Sequence, residues 1–95
     1  MSARIRIAVR GGPPPLALEF HRRGAAVYLR LTDQAVARTV EIEDGALADY
    51  DREDALVGLE LLHPDDPQVI GTLHRLQARF ADEAPQLRSV EATPI

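Results

Sequence analysis

The 95-residue chain predicts an α+β domain: an antiparallel β-meander of five strands, six if the N-terminal segment joins it, with one C-terminal amphipathic helix covering one face. Three observations carry this expectation. Between residues 16 and 62 the segments LALEF, AAVYLRL, RTVEIE, ALADYD and LVGLELL alternate in polarity and follow one another at hairpin distances. After His63-Pro64, the residues Val69, Ile70, Leu73, Leu76 and Phe80 recur at spacings of three and four, the stripe of a helix with one apolar face. A sheet with one apolar face needs a cover, and this helix is the segment able to supply it.

The elements follow in order. RIRIAVR, residues 4–10, alternates Arg with Ile5, Ile7 and Val9 and reads as a half-buried strand, and Gly11-Gly12-Pro13-Pro14-Pro15 then forms an extended connector. HRRG at 21–24 turns LALEF back on AAVYLRL, opposing Leu18 to Val27 and Leu16 to Leu29, and TDQAVA turns the chain again, setting Leu31 against Arg38. Asp44-Gly45 is a type I′ turn signal that pairs Glu43 with Ala46, Ile42 with Leu47 and Val40 with Asp49. A loop around Asp51 to Ala55 then pairs Tyr50 with Leu56, Asp49 with Val57 and Leu47 with Leu59. This count collects Leu16, Leu18, Phe20, Val27, Leu29, Leu31, Val40, Ile42, Leu47, Val57, Leu59 and Leu61 on one inner face. Asp65 or Asp66 caps the helix, with Pro67 in its first turn, and the helix ends before Pro85. The whole is a single domain: N-terminal strand and connector (1–15), meander (16–62), helix (66–84) and a mostly irregular tail (85–95), with one short extended piece at Leu87 to Val90.

Composition bounds the function. The absence of cysteine excludes a disulfide framework, thiolate chemistry and zinc sites built on Cys, and fits a reducing, cytoplasmic setting. No apolar run approaches a membrane span and the N-terminus has no signal-peptide core, so neither membrane nor secretion is expected. All eleven basic residues are Arg; six lie in residues 1–30 beside the lone acid Glu19, whereas residues 31–66 hold eleven acids and two arginines. Opposite halves of this kind can present a basic strip to an acidic partner or pair with each other across the fold; the second is the expectation preferred, and nucleic-acid binding is not expected.

The pattern Ala26-Val27-Tyr28-Leu29-Arg30-Leu31, then Thr39 to Gly45, then Asp49-Tyr50-Asp51, then Val57-Gly58-Leu59-Glu60-Leu61-Leu62 resembles the small bacterial family known as domain of unknown function 2283, over roughly residues 18–63. The resemblance implies a compact meander of unknown biochemistry, with an antitoxin-like partner role suggested for some members. The family's turn glycine is Asp54 here, and the Arg-rich N-terminal strand and the C-terminal helix are additions to a minimal member.

Candidate sites are few. In DYDREDALVGLE, Asp49, Asp51, Glu53 and Glu60 occupy positions 1, 3, 5 and 12 of a would-be calcium loop. The loop lacks the glycine required at position 6, where Asp54 stands, and on an extended strand Glu60 would lie roughly 20 Å from Asp54. Asp54 suits a hairpin turn instead, since Asp tolerates left-handed backbone. The register count turns Asp49 inward as a buried polar group, capping backbone amides or meeting Arg38. His21, His63 and His74 have no metal-ligand spacing, and no nucleophile stands beside a base. No catalytic, cofactor or metal residue is assigned, and no enzyme activity is expected. The candidate interface is the outer face with Tyr28, Arg30, Tyr50, Leu56 and Gly58, together with Arg4 and Arg6 on the N-terminal strand, which can pair within the chain or with another chain. The function expected is a non-catalytic protein-interaction module, a homodimer being one form; this needs an apolar patch or an unpaired strand edge. The alternative, a small-ligand or metal-binding enzyme using Asp49 and a histidine, needs Asp49 to open onto a pocket.

Overall fold

A computed structural model describes residues 4–11, 15–20 and 26–95. The expected turn at 21–24, with His21, and most of the connector at 12–14 lie outside the described residues. The elements are β1 (Ile5–Val9), β2 (Ala17–Phe20), β3 (Ala26–Arg30), β4 (Arg38–Glu43), β5 (Ala46–Tyr50), β6 (Leu56–Leu62), α1 (Gln68–Arg79), a 3₁₀ turn (Pro85–Ser89) and β7 (Val90–Pro94). The α+β class holds, with a five-stranded antiparallel sheet, a second sheet of two strands and one C-terminal helix.

The five strands lie in the order β2-β3-β6-β5-β4, so β3 pairs with β6, and Leu31 does not meet Arg38. Arg38 instead opposes Tyr50 of β5. The physical reason lies in the strands themselves. LVGLELL is the most apolar of them, and in a plain sequential order it would form an edge. At the centre both its sides are hydrogen-bonded and five of its seven residues are buried. The charged strand RTVEIE takes the edge in its place. Residues 31–37 make the crossing from β3, and the amides of Leu31 and Thr32 both donate to the Val57 carbonyl (2.8 and 3.1 Å).

Two bulges flank β5. Between β4 and β5 the register steps from Glu43↔Ala46 to Glu41↔Leu47, leaving Ile42 as an extra residue. Between β5 and β6 it steps from Tyr50↔Leu56 to Asp49↔Gly58, leaving Val57 extra. A one-residue slip moves a strand's side chains to the opposite face. Ala46 and Ala48, both fully buried, therefore take the inner positions that Leu47 and Asp49 were expected to fill. The inner face also holds Val27, Leu29, Leu59 and Leu61, all without solvent exposure. Leu16 and Phe20, expected inside, are 60% and 62% exposed.

Helix α1 covers this face with Val69, Leu73, Leu76 and the following Phe80. Asp66 caps it: its Oδ1 accepts the Gln68 amide (2.9 Å) and its carbonyl the Val69 amide, with Pro67 already in helical conformation. The helix is shorter than the expected 66–84. Ala84, immediately before Pro85, lies outside the helical region (φ −139°, ψ 68°), in keeping with the restriction that the ring of a following proline places on it.

The tail is not irregular, and RIRIAVR is not a sixth strand of the main sheet. β1 pairs with β7 in a separate ribbon in register Ile5↔Pro94, Ile7↔Ala92, Val9↔Val90. Ile7, Val90 and Ala92 are buried in the common core, and α1 touches both β6 and β7. Gln77 of α1 fastens the tail, its Nε2 donating to the carbonyls of Leu87 (2.8 Å) and Val90 (2.7 Å). Among the described residues no helix is long and apolar enough to cross a membrane.

Candidate functional site

The outer face of the main sheet, turned away from α1, carries a side-chain network running across the strands. Glu19 of β2 opposes Tyr28 of β3, and Ala17 opposes Arg30. Glu19 Oε1 accepts from Arg30 Nε at 2.8 Å, and this carboxylate raises the guanidinium pKa further above its already high ordinary value. The Arg30 guanidinium lies 5.1 Å from the centre of the Tyr28 ring. Tyr28 lies over Gly58 of β6 and donates its hydroxyl to Asp49 Oδ2 of β5 at 2.8 Å. Thr39 of β4 donates to Asp49 Oδ1 at 2.6 Å. Burial first, then the bond to the Asp49 carboxylate, push the Tyr28 hydroxyl pKa well above its ordinary value.

Gly58 is what permits this arrangement. A Cβ at that position would lie 2.5 Å from Tyr28 Cζ and 2.9 Å from Cε2, so only a residue without a side chain lets the ring lie down on the strand. The tyrosine is thereby 6% exposed although it sits on the face without the helix.

The expected site residues thus separate into three places. Tyr28, Arg30 and Gly58 are brought together. Tyr50 and Leu56 are not with them: the bulge at Val57 turns both to the inner side, where Leu56 joins the core and the Arg38 guanidinium covers the Tyr50 ring at 4.5 Å. Arg4 and Arg6 are exposed on the ribbon, beyond the main sheet, and the strand bearing them pairs within the chain. Asp49 is a second correction. It faces outward, half-buried, opposite Thr39 and Gly58, and meets neither Arg38 nor a backbone amide cap. Thr39 and Glu19 are members of the network that the sequence reading did not join to it. The bulges at Ile42 and Val57, which set Thr39 and Gly58 opposite Asp49, have no mark in the sequence, and Glu19 meets Tyr28 because β2 and β3 pair two residues out from the expected register, with Leu18 opposite Leu29 and Phe20 opposite Val27.

The stretch DYDREDALVGLE is a hairpin turn. Asp51 Oδ1 accepts the amides of Glu53 (2.8 Å) and Ala55 (2.9 Å), and Asp54 has the left-handed φ of 63° expected of it. Glu60 stands along β6 opposite Tyr28 and Leu47, away from that turn. Among the described residues no three His, Asp or Glu side chains gather in a way that could hold a metal ion. His63 follows the far end of β6 and His74 lies on α1, against the opposite face from Asp49. The larger cavities are open grooves elsewhere. One of about 700 Å³ lies by Gln34, Ala35 and Asp51–Glu53, and one of about 440 Å³ between α1 and β7 is lined by His74, Gln77 and Arg88.

The strand edges differ in how they are guarded. β4 carries Arg38, Glu41 and Glu43 and is bent by the Ile42 bulge, with Glu43 tied to Arg75 of α1 at 2.7 Å. The ribbon strands carry Arg4, Arg6 and Arg10 on one side and Pro94 on the other. Within its four residues β2 has neither bulge nor proline, its one charge, Glu19, is bound to Arg30, and the exposed Leu16 and Phe20 stand just before it and at its end. Charges, bulges and prolines are the usual means by which edges avoid pairing with other chains.

No curated protein and no solved structure matches the chain. Residues 19–63, from β2 to the end of β6, match the model of the family described as Protein of unknown function (DUF2283), the family that the sequence resembles.

Proposed function

We propose that this protein is a non-catalytic interaction module that binds a polypeptide along the β2 edge of its main sheet. The observation that carries the reading is the contrast between the edges. β4 and the ribbon strands are charged, bulged or interrupted by proline, whereas β2 ends the sheet with no further strand beside it among the described residues and is flanked by Leu16 and Phe20, each about three-fifths exposed. An incoming strand would gain main-chain hydrogen bonds there and cover both side chains. The outer-face network supports the same reading, because its polar groups are engaged with one another. Asp49 accepts from Tyr28 and Thr39, and Arg30 is held by Glu19, an arrangement that stiffens a surface rather than presenting a base. An antitoxin-like role, with a toxin as the bound polypeptide, is the most concrete form suggested by the family resemblance, and a bacterial cytoplasm suits the cysteine-free chain.

The test is purification of the full chain from its native host beside a Phe20→Lys variant, whose side chain lies in solvent and leaves the core intact. The expected result is self-association, or a stoichiometric bound protein, that the variant loses. A wild-type chain that is monomeric and retains nothing would refute the reading.

A further inference from the structure

The sequence of β2 makes its edge complementary to itself, and we infer that the polypeptide bound there is a second copy of this chain. The inference rests on the proposed use of the β2 edge and names its occupant. Two copies joined edge to edge about a twofold axis perpendicular to the sheet keep inner side chains opposite inner and outer opposite outer, which restricts the pairing to a few registers. Centring on Glu19 sets the two glutamates directly against each other, which is repulsive. Centring on Ala17 leaves Phe20 beyond the strand it should pack on. Centring on Leu18 pairs Leu18 with its own copy, Leu16 with Phe20 of the second copy, and Ala17 with Glu19 of the second copy.

In that register every feature left open in one chain is met by the other. Leu16 and Phe20, 60% and 62% exposed, cover each other twice, once on each side of the axis. Phe20, opposite Val27, stands on the inner face in the layer of Leu18 and Leu29, and in the dimer Leu16, one residue before the strand, extends the same alternation. On the outer face the incoming Glu19 arrives beside Ala17, whose neighbour on the other side is Arg30. The methyl group of Ala17 leaves a clear path between them. Two strand spacings come to roughly 10 Å, a gap that an Arg and a Glu side chain span together. Arg30, already bound to its own Glu19 at 2.8 Å, then stands between two carboxylates, and the paired glutamates never face each other. The product is a continuous ten-stranded sheet with both helices on the same side. A four-residue edge is a small interface, so its dissociation constant lies on the order of micromolar.

The experiment is sedimentation velocity and light scattering on the full chain from low micromolar to millimolar concentration. The wild-type protein is expected to move from 10.4 kDa towards twice that mass. Phe20→Lys and Ala17→Glu should each weaken dimerisation about tenfold or more while leaving the thermal midpoint within a few degrees, because a glutamate at position 17 faces Arg30 of its own chain. Ala17→Glu combined with Glu19→Arg should restore the dimer, since opposite charges then meet at both symmetric positions. That recovery is specific to the Leu18-centred register. A chain that stays monomeric at millimolar concentration overturns the inference, as does a dimer indifferent to both single substitutions. If the monomer nevertheless retains a different protein that Phe20→Lys releases, the interaction reading stands and the self-pairing alone has failed.

Discussion

Replacing Gly58 by alanine tests the outer-face network at its narrowest point. The new Cβ would lie 2.5 Å from Tyr28 Cζ and 2.9 Å from Cε2, closer than non-bonded carbon atoms approach, so the ring must lift from β6. Lifting it draws the hydroxyl away from Asp49, 2.8 Å distant. A hydrogen bond to a charged group contributes about 1.5–3 kcal/mol, and forcing a methyl into a filled space costs about 1–3 kcal/mol. Partial relaxation and the better strand propensity of alanine offset some of this. The expected net loss is about 2–4 kcal/mol, which in a domain of this size lowers the thermal midpoint by roughly 10–25 °C. Urea denaturation of Gly58→Ala, Tyr28→Ala and the double variant measures both the loss and its origin. Once Tyr28 is shortened the alanine has room, so the double variant should be more stable than the sum of the single losses predicts, by at least about 1 kcal/mol. A Gly58→Ala loss below about 0.5 kcal/mol, or strict additivity, would refute the reasoning.

Other outcomes follow from single contacts. The folded chain holds the Tyr28 proton more tightly than the unfolded chain does, so its contribution to stability is complete below the ordinary tyrosine pKa of 10.0 and is lost as pH rises beyond it. In a Tyr50→Phe variant Tyr28 is the remaining phenol of a chain with two Tyr and no Trp, so its ultraviolet titration should be delayed past pH 10 in the native state and return to the ordinary value in urea. At Asp54, φ 63°, Asp54→Val should cost about 1–3 kcal/mol in denaturant titrations, whereas Asp54→Gly should be neutral or stabilising, although both remove the exposed contact with Arg38. Gln77→Ala removes the donor to the carbonyls of Leu87 and Val90 and should cost about 1–3 kcal/mol, with amide exchange rising first in β7.

How far the sequence revealed the site depended on whether a feature was local. The six strands up to Leu62, the left-handed Asp54 and the cap at Asp66 each depend on a few neighbouring residues, and each lies where the pattern placed it; the Asp44-Gly45 turn lies there too, but only Gly45 has the positive φ that a type I′ turn requires of both residues. The strand order depends on which element makes the best centre. Sequential strands are the usual neighbours, and that preference sets β4 beside β3. Comparing the two possible edges would have corrected it, because LVGLELL has nothing to guard an edge and RTVEIE does. The inward placement of Asp49 failed for a different reason. Hairpin counting assumes an unbroken ladder, and the extra residues at Ile42 and Val57 turn the faces over on either side of β5. Gly58 is expected on the outer-face interface, whereas the protein covers it with its own Tyr28.

That last difference bears on where a partner can bind. A face on which Tyr28 fills the space over Gly58, Asp49 holds two donors and Arg30 is engaged offers an incoming surface little that is both apolar and unoccupied. The network stiffens β3 against β6 and, through Thr39 and Glu19, reaches both outer strands. A stiff sheet loses little freedom when a further strand is added, which is the condition under which a short edge can bind at all. The residues carrying the family resemblance therefore need not touch the partner. In the proposed pairing Tyr28, Arg30, Asp49 and Gly58 hold the sheet in the shape that presents β2, and the contacts themselves would fall to Leu16, Leu18 and Phe20 at its margin.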